Sequence, residues 1–427
     1  MSTDVEREAA ETTNAESKPP FLRRVRIRGY KSIAFCDVTL EPLTILVGRN
    51  ASGKSNFLDA LAFVRDAMAT NITDAAKRHG GWQSMLCRMS PDGQITIETE
   101  VTQAQQRATY GFTLREGPSA SPVLIHEWFR TEENGDNPSF DLSGKYDPTS
   151  KTVGYEWNFH HPSVACSQVP QPRPDRLWLG SFGNQPFIDI SDGLRFSGYY
   201  NFNPEIMRRP QIHAAGELLE RDGRNLASVI ETTREIEAWA VERAGRYLRS
   251  ITKTTGFAGV DQSGGYETLR FRVAHNGQAE PLEFSASSMS DGTLRAFAAL
   301  VAAFQMALPH GYPSLVAIEE PETALHPAAM RALVAAMDEA TLRTQILLTT
   351  HSPDLLDAAE VKPANVRVVQ MIDGQTVIGP VDEAGVEIVT RNLSTLGGLE
   401  RENQLEPDLD DQDRQRELAG ARQGDRP

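Results

Sequence analysis

The sequence predicts an α/β fold with a mostly parallel core sheet, an antiparallel β lobe and a short helical insert. Two observations lead to this prediction. In the C-terminal part, short apolar strands alternate with amphipathic helices, which is typical of a parallel sheet covered on both faces. Between about 94 and 160, apolar and polar residues alternate instead, and Gly, Pro, Asn and Asp separate the runs, which is typical of antiparallel strands.

Length and composition place the chain among globular proteins. Its 427 residues are 40% hydrophobic and 24% charged, enough for one large domain or two modest ones. No run approaches the roughly 18 to 20 apolar residues of a membrane helix, and the first residues lack the pattern of a signal peptide. The three cysteines lie far apart with no metal-ligand spacing, so neither a disulfide framework nor a zinc site is expected. We therefore expect a cytoplasmic protein without a membrane segment.

The N-terminal part begins with three predicted strands, at about 22–27, 33–40 and 43–47. The third strand ends in a glycine-rich loop. After the loop, apolar residues recur at helical spacing over 57–68, which marks a helix with one buried face. A strand, a loop and a helix in this order form the context that a phosphate site requires.

The rest of the chain alternates between weak and strong patterns. A stretch rich in Pro and Gly, 162–215, leads into a predicted helical run at about 225–251. The two ends, 1–20 and about 400–427, are polar and charged and are predicted to be disordered. Further elements are predicted as strands near 267–273, 315–318 and 345–349, and as helices at 290–306, at 327–337 and from 352 onwards.

Residues 48–55, Gly-Arg-Asn-Ala-Ser-Gly-Lys-Ser, match the P-loop pattern G-x-x-x-x-G-K-[ST]. In such a loop the backbone N–H groups surround phosphates, and the following helix adds the positive end of its dipole. Lys54 is predicted to reach the β and γ phosphates of ATP, and the Ser55 hydroxyl to ligate Mg²⁺. A plain glycine turn before a helix is the structural alternative. The predicted nucleotide-contacting residues are Gly48, Arg49, Asn50, Ala51, Ser52, Gly53, Lys54, Ser55 and Asn56.

The apolar strand at 315–318 ends in two carboxylates, Glu319 and Glu320. Open parallel sheets bind ligands at the carboxyl ends of their strands, so this strand would deliver both acids beside the P-loop. Glu319 is the predicted Mg²⁺ partner, directly or through a water, and Glu320 the predicted general base for the attacking water. Taken alone, the pair could equally be a solvated helix cap.

Two further segments fit a nucleotide site. His351 follows a third apolar strand, and its position fits a sensor of the γ-phosphate, although a lone histidine is more often structural. Ser290 and Gly292 open an apolar helix, where free N–H groups and the helix dipole can bind an anion. An ordinary capped helix is the alternative for that segment.

Together the four segments, in this order, resemble the ABC-type ATPase set of Walker A, signature loop, Walker B and switch histidine. The signature, Met-Ser-Asp-Gly-Thr at 289–293, is similar to the LSDGT form of RecF-like predicted ATPases of the AAA type. Asn56, the run Ile-Glu-Glu-Pro-Glu at 318–322 and Thr-His-Ser-Pro at 350–353 resemble the same branch, which includes SMC, RecF and OLD proteins. Unlike OLD nucleases, the chain shows no Toprim-like acidic cluster, so any nuclease activity is expected to belong to another chain.

The resemblance implies a P-loop NTPase with an ABC-type head and a site split between two copies. Ser290 and Gly292 of one copy would complete the γ-phosphate pocket of the other, so that ATP closes a homodimer and hydrolysis reopens it. Residues 324–326 would match the family's D-loop, and Gln83 is the candidate for the loop glutamine that touches Mg²⁺. The chain departs from the family at Glu319, where Asp is usual. The implied regions are a tail at 1–20, an ATPase head at 21–398 (Walker A half 21–160, insert 161–285, signature and Walker B half 286–380) and an acidic tail at 399–427.

Two functions remain open. The first is an ATP-hydrolysing, nucleotide-gated clamp that acts on DNA in maintenance, repair or mobile-element defence. Its added support is Arg23, Arg24, Arg26 and Arg28 on the first strand as a phosphate-contact face, for which a solvated strand edge is the alternative. The second is a regulatory ATPase that switches a partner protein encoded nearby, such as a nuclease or effector, without touching DNA. The net charge of -15 favours the second.

Overall fold

The computed structural model shows three β-sheets with helices packed between and around them, so the α/β prediction is confirmed for the described part of the chain. The predicted tail at 1–20 and Cys166 lie outside the described residues. Among the described helices, none is long and apolar enough to span a membrane. The structure describes residues 21–90, 92–103, 106–131, 138–147, 152–161, 169–214, 218–274, 280–307 and 311–409.

The strands and helices of these ranges follow in chain order. The strands are β1 Leu22–Tyr30, β2 Ile33–Thr39, β3 Leu43–Val47, β4 Gln94–Gln103, β5 Gln106–Glu116, β6 Pro122–Thr131, β7 Ser139–Asp147, β8 Thr152–His160, β9 Gly198–Tyr200, β10 Gln211–Ile212, β11 Thr255–Ser263, β12 Tyr266–Val273, β13 Leu282–Ser285, β14 Leu315–Glu319, β15 Gln345–Thr350, β16 Val366–Ile372 and β17 Gln375–Pro380. The helices are α1 Lys54–Ala69, α2 Ile72–Arg78, α3 Trp82–Met85, α4 Phe187–Arg195, α5 Pro204–Met207, α6 Leu226–Ile236, α7 Ala238–Thr252, α8 Asp291–Phe304, α9 Pro327–Ala340, α10 Pro353–Leu356, α11 Glu383–Thr390 and α12 Leu396–Arg401.

The core sheet has the strand order β17-β16-β3-β15-β14-β9. Its strands are parallel except for β17, which pairs antiparallel with β16. Val47 lies opposite Thr350, and Glu319 lies opposite Thr349, so β3, β14 and β15 end at the same edge. That shared edge explains why segments far apart in sequence can form one site.

The core sheet separates two apolar cores. Alternate residues of β3 show this, since Ile45 belongs to one core, shared with α6 to α9, and Leu46 to the other, shared with α1. The seven-stranded antiparallel sheet, with the order β2-β1-β4-β5-β6-β7-β8, packs on the second core. A smaller sheet, β10-β12-β11 with β13 on β12, covers the first core.

Two expectations about the chain's organisation need correction. The helical run at 225–251 is two helices, α6 and α7, because the backbone becomes extended at Glu237. The acidic tail does not begin at 399, since Leu399 and Leu405 are buried and the Asp408 N–H donates to the Pro380 carbonyl at 2.9 Å. The two buried leucines anchor this charged segment in the core, and backbone pairing joins it to the end of β17. Residues 410–427 lie outside the described residues.

Candidate functional site

The loop between β3 and α1 is held from outside by the β16-β17 hairpin. A Cβ on Gly48 would lie 2.1 Å from the Val369 carbonyl oxygen, and one on Gly53 would lie 1.9 Å from Thr376 Oγ1. Gly53 also has a φ of +106°, which few other residues adopt. The Thr376 hydroxyl donates to the Ser52 carbonyl at 3.0 Å. Close packing therefore requires glycine at both positions, and backbone conformation requires it at Gly53 as well.

The chemistry of this loop fits a phosphate group. Helix α1 begins at Lys54 with no side-chain cap on its first N–H groups. The Lys54 ammonium lies over the loop and donates to the carbonyls of Gly48 at 2.6 Å and Arg49 at 3.0 Å. The Ser52 hydroxyl is buried without a hydrogen-bond partner in the described structure. An uncapped helix N-terminus, an ammonium and a buried unpaired hydroxyl together suit an oxyanion.

The other predicted loop residues divide by exposure. Arg49, Asn50 and Ala51 are exposed, so they line the open side of the loop. The Asn56 amide is turned away, since its Nδ2 donates to Ser32 Oγ at 2.6 Å. Asn56 thus joins α1 to the turn between β1 and β2 in this structure. A contact of this side-chain Nδ2 with the nucleotide would require that bond to break.

The two predicted metal ligands lie side by side. Ser55 Oγ donates to Glu319 Oε2 at 2.7 Å, although the residues are far apart in sequence. The other oxygen of Glu319 accepts from Arg221 Nη2 at 3.0 Å, a contact that the sequence did not suggest. A hydroxyl and a carboxylate are hard oxygen donors, which Mg²⁺ prefers together with phosphate oxygens and waters. This donor set therefore fits Mg²⁺ bound with a nucleotide.

The predicted base and sensor also meet at the sheet edge. Glu320 Oε1 lies 3.3 Å from His351 Nδ1, and the two side chains are 35% and 48% exposed. Glu320 has a φ of +44°, a strained value for a residue with a side chain. Burial lowers the pKa of the neighbouring Lys54 ammonium, and nearby carboxylates, that of Glu320 first, act in the opposite direction. The structure thus brings Lys54, Ser55, Glu319, Glu320 and His351 together.

A third acid of the same run, Glu322, points inward instead. It is 4% exposed, and one of its oxygens accepts from the Thr350 hydroxyl. Burial raises the pKa of Glu322. The Thr350 hydroxyl also accepts the Ser352 N–H at 2.9 Å. Glu322 therefore positions the turn that carries His351, a role that nothing in its sequence context indicates.

The signature segment forms a second group of predicted site residues. Ser290 caps α8 by accepting the Thr293 N–H at 3.2 Å. A Cβ on Gly292 would lie only 2.2 Å from the Ala324 carbonyl oxygen, so the signature packs directly on the predicted D-loop. Arg208 donates to the Met289 carbonyl at 3.1 Å and also binds Asp291. This arrangement leaves the exposed hydroxyl of Ser290 at the surface of the chain.

Gln83 is not in contact with the predicted metal ligands in the described structure. It is exposed on α3, and its Nε2 donates to Glu116 Oε1 at 3.1 Å on the antiparallel sheet. A different amide lies at the right edge. Strand β9 pairs with β14 so that Tyr200 is opposite Ile318, which places exposed Asn201 beside Glu319. Sequence reasoning missed Asn201 because β9 has three residues and lies in a weakly patterned stretch.

Three of the four β1 arginines, Arg24, Arg26 and Arg28, do not form an open cationic face. Arg24 and Arg26 both bind Asp37, at 2.5 and 2.8 Å, and Arg26 also binds acids of β4. Arg28 lies over the Phe35 ring, 5.6 Å from its centre. Since Asp37 is 4% exposed, the main partner of these arginines is buried in the sheet. The support that this strand gave to DNA binding is therefore reduced.

Comparison with known proteins gives one family match. The model of the family described as "AAA domain, putative AbiEii toxin, Type IV TA system" matches residues 43–357. That range contains the P-loop, the signature segment, the acidic strand end and the switch histidine, in the predicted order. No curated protein sequence matches the chain.

Three solved structures show distant similarity. An SMC head bound to the C-winged helix domain of ScpA is 13% identical, with 86% of this chain and 99% of that chain covered and a TM-score of 0.49. The SMC head domain from Thermotoga maritima is 15% identical over 85% and 99%, with a TM-score of 0.42. An Smc head with an extended coiled coil, bound to the C-terminal domain of ScpA from Pyrococcus furiosus, is 12% identical over 88% and 100%, with a TM-score of 0.47.

Proposed function

We propose that this protein hydrolyses Mg-ATP between two head-to-tail copies. The proposal builds on its family, because the chain belongs to this AAA-domain family and is an ABC-type P-loop ATPase of the SMC-like kind. The observation that carries the proposal is the hydrogen bond between Ser55 and Glu319. It joins the P-loop to the acidic end of β14, with Lys54, Glu320 and His351 beside it. Oxygen ligands for a metal, an ammonium for phosphates and an exposed carboxylate for water are what phosphoryl transfer to water needs.

Each side chain then has a defined task. Lys54 and the N–H groups of the loop bind the β and γ phosphates, and Ser55 and Glu319 would hold Mg²⁺, which neutralises phosphate charge when bound. Glu320 accepts the proton of the attacking water. His351 donates to the γ-phosphate and is held by the turn that Glu322 positions. Asn201, rather than Gln83, would contribute the amide oxygen near the metal.

The second group of residues supports a site shared between copies. Ser290 is exposed at the N-terminus of α8, and the buried Gly292 beside it packs on the predicted D-loop. A helix N-terminus at the surface can bind the phosphates of a nucleotide held by another copy. ATP would therefore close the dimer, and hydrolysis would remove the group that bridges the two copies.

A mixing experiment tests the shared site. Lys54→Ala removes the phosphate ligand from one copy, and Ser290→Arg blocks the signature of the other. Each variant alone should be inactive. In a mixed dimer, the P-loop of the Ser290→Arg copy faces the intact signature of the Lys54→Ala copy, so one of two sites should work. ATPase activity that does not reappear on mixing would contradict the shared site, and activity of either variant alone would contradict the assigned roles.

The client of this ATPase is a further proposal. Two clients are considered, DNA held by a clamp and a partner protein that is switched, and the pairing of Arg24 and Arg26 with Asp37 and the net charge of -15 favour the partner protein. Salt-dependent binding of the ATP-bound protein to DNA at low ionic strength would support the clamp. Co-purification of one stoichiometric protein without nucleic acid would support the switch. We also propose that one ATPase head, extended to residue 409, includes all the described residues, and that it works in the cytoplasm.

A further inference from the structure

A turn at 218–225 lies beside the acidic end of β14. Strand β9 pairs with β14, and the chain that continues from β9 binds this turn through its backbone. The Asn201 N–H donates to the Arg221 carbonyl at 2.8 Å. The Asn203 N–H donates to the Asp222 carbonyl at 3.1 Å. The turn therefore runs along the extension of β9, next to the predicted metal ligands.

Contacts on both sides of Arg221 fix the turn in this place. Before it, Leu219 is buried in the core, and its N–H donates to Gln305 Oε1 at 2.9 Å. After it, Gly223 has a φ of +82°, and a Cβ there would lie 2.7 Å from Met207 Sδ. The backbone of Arg221 is thus held by the core on one side and by close packing on the other, so the fold itself places this arginine at the sheet edge.

The Arg221 guanidinium binds the predicted metal ligand directly. Its Nη2 donates to Glu319 Oε1 at 3.0 Å, while the Ser55 hydroxyl donates to Glu319 Oε2 at 2.7 Å. The Arg221 side chain is 53% exposed and that of Glu319 only 14%. An ion pair with so exposed an arginine adds little to stability. Its importance therefore lies in what it does to Glu319, whose two oxygens are each held by a different donor.

This division of the carboxylate bears on the choice of metal ion. Ca²⁺ takes more oxygen ligands than Mg²⁺, at longer and more variable distances, and often binds both oxygens of one carboxylate. With Oε1 held by Arg221, Glu319 offers only Oε2, on the side of Ser55. A glutamate also has one more rotatable bond than the aspartate that is usual at this position. Without Arg221, Glu319 would therefore be free to turn both oxygens toward a metal.

We propose that Arg221 is a specificity-determining residue of the metal site, a positioning residue that occupies Oε1 of Glu319, leaves one oxygen for the metal and thereby favours Mg²⁺ over Ca²⁺. The proposal rests on the function proposed above. It gives the insert at 161–285, which contains none of the recognised motifs, a direct part in the chemistry of the site.

The test is the affinity for ADP, measured by calorimetry in excess Mg²⁺ and in excess Ca²⁺, because ADP avoids turnover. The quantity compared is the Kd of Ca-ADP divided by the Kd of Mg-ADP, which should be well above one for the wild-type protein. Arg221→Ala should lower this ratio about tenfold. Loss of a positive charge favours both divalent ions alike, so that effect cancels in the ratio.

A second arginine of the same turn provides the matched control. Arg224 binds Asp222 and Glu220 and is about as exposed as Arg221. Arg224→Ala therefore removes the same charge without freeing Glu319, and the ratio should stay within about twofold of the wild-type value. A tenfold fall in this variant as well would show that the contact with Glu319 does not set the preference.

The outcomes separate the two proposals. An unchanged ratio in Arg221→Ala, or wild-type protein that binds Ca-ADP as tightly as Mg-ADP, would overturn the role of Arg221 while leaving the ATPase intact. If Arg221→Ala does not fold, Arg221→Met keeps the apolar stem, removes the donors and should lower the ratio to the same extent. Wild-type protein that binds neither Mg-ADP nor Mg-ATP would instead overturn the proposed function itself.

Discussion

The antiparallel sheet and the edge of the core sheet use carboxylates in opposite ways. In the antiparallel sheet, Glu127 is fully buried and accepts the N–H groups of Trp178 and Leu179 at 2.6 and 2.8 Å and the Tyr110 hydroxyl at 3.0 Å. At the core-sheet edge, Glu320 is 35% exposed and its side chain faces only His351 among the described contacts. The comparison shows that incomplete pairing at a strained, accessible position marks the site, whereas acidity alone does not.

The largest expected effect tests the accessible acid. Glu320→Gln removes the proton acceptor but keeps the side-chain shape, so the ATPase rate should fall by about 1,000-fold. The melting temperature should not fall, because Glu320 makes no buried hydrogen bond with its side chain. Light scattering should show this variant as a dimer in Mg-ATP. Retained turnover would place the base elsewhere, and a large loss of stability would show that Glu320 is structural.

The second prediction concerns the buried acid. Glu127→Ala leaves two buried N–H groups and a buried hydroxyl without an acceptor, so the free energy of unfolding should fall by about 3 kcal/mol. Denaturant unfolding measures this change. The folded fraction should bind ATP with unchanged affinity. A variant that is stable but binds ATP poorly would show that the two regions are functionally coupled.

A smaller effect is expected on the Mg²⁺ dependence of the ATPase activity. Asn201→Ala removes the amide beside Glu319, so the Mg²⁺ concentration for half-maximal ATPase activity should rise about tenfold. Gln83→Ala is the matched control, because Gln83 binds Glu116 on the antiparallel sheet. Titration of both variants with Mg²⁺ decides between the two amides. If Gln83→Ala raised the required Mg²⁺ concentration and Asn201→Ala did not, Gln83 would be the metal contact.

The smallest effect is a pH dependence of stability. His79 lies between Asp59 and Asp66, at 2.9 and 3.2 Å. Burial acts to lower the pKa of His79, but these hydrogen bonds outweigh it and raise the pKa above its ordinary value. Its stabilisation is thus complete below about pH 6.5 and is lost as the pH rises through the raised value.

Thermal unfolding at several pH values checks this expectation. Wild-type protein should lose about 1 kcal/mol of stability between pH 6.5 and 9 from this cluster. His79→Gln should show a flatter profile over the same range. A wild-type profile that rises over this range, or one that the variant reproduces, would contradict the assignment to His79.

Local motifs allowed much of the site to be predicted. The P-loop could be placed because a loop that surrounds phosphate needs glycines at fixed positions. Glu319, Glu320 and His351 could be placed because an apolar strand precedes each of these segments. Other residues could not be placed from local sequence, because their positions depend on contacts between segments that are distant in the chain. Asn201 needs the parallel pairing of β9 with β14, and Glu322 needs Thr350. Such contacts leave no local pattern in the chain.

The arginines of β1 and the end of the chain show the same limit. A run of alternating arginines has the same appearance whether it faces solvent or, as for Arg24 and Arg26, a buried Asp37. The charge of the segment at 399–409 predicts a disordered tail, yet its Leu399 and Leu405 are buried in the core. In both places, contacts with single residues that are distant in sequence decide whether the segment is solvent-exposed or packed. The composition of the segment does not show such contacts.

The contact between Gly292 and the Ala324 carbonyl has a mechanical consequence. With no room for even a methyl group between them, the signature segment and the predicted D-loop are in direct backbone contact, so a shift of one would displace the other. Ala324 is four residues from Glu320, at the site that this copy would provide, whereas Gly292 would close the site of the other copy. Loss of phosphate at one site would therefore shift the lid of its neighbour. The contact would thus couple the two sites mechanically.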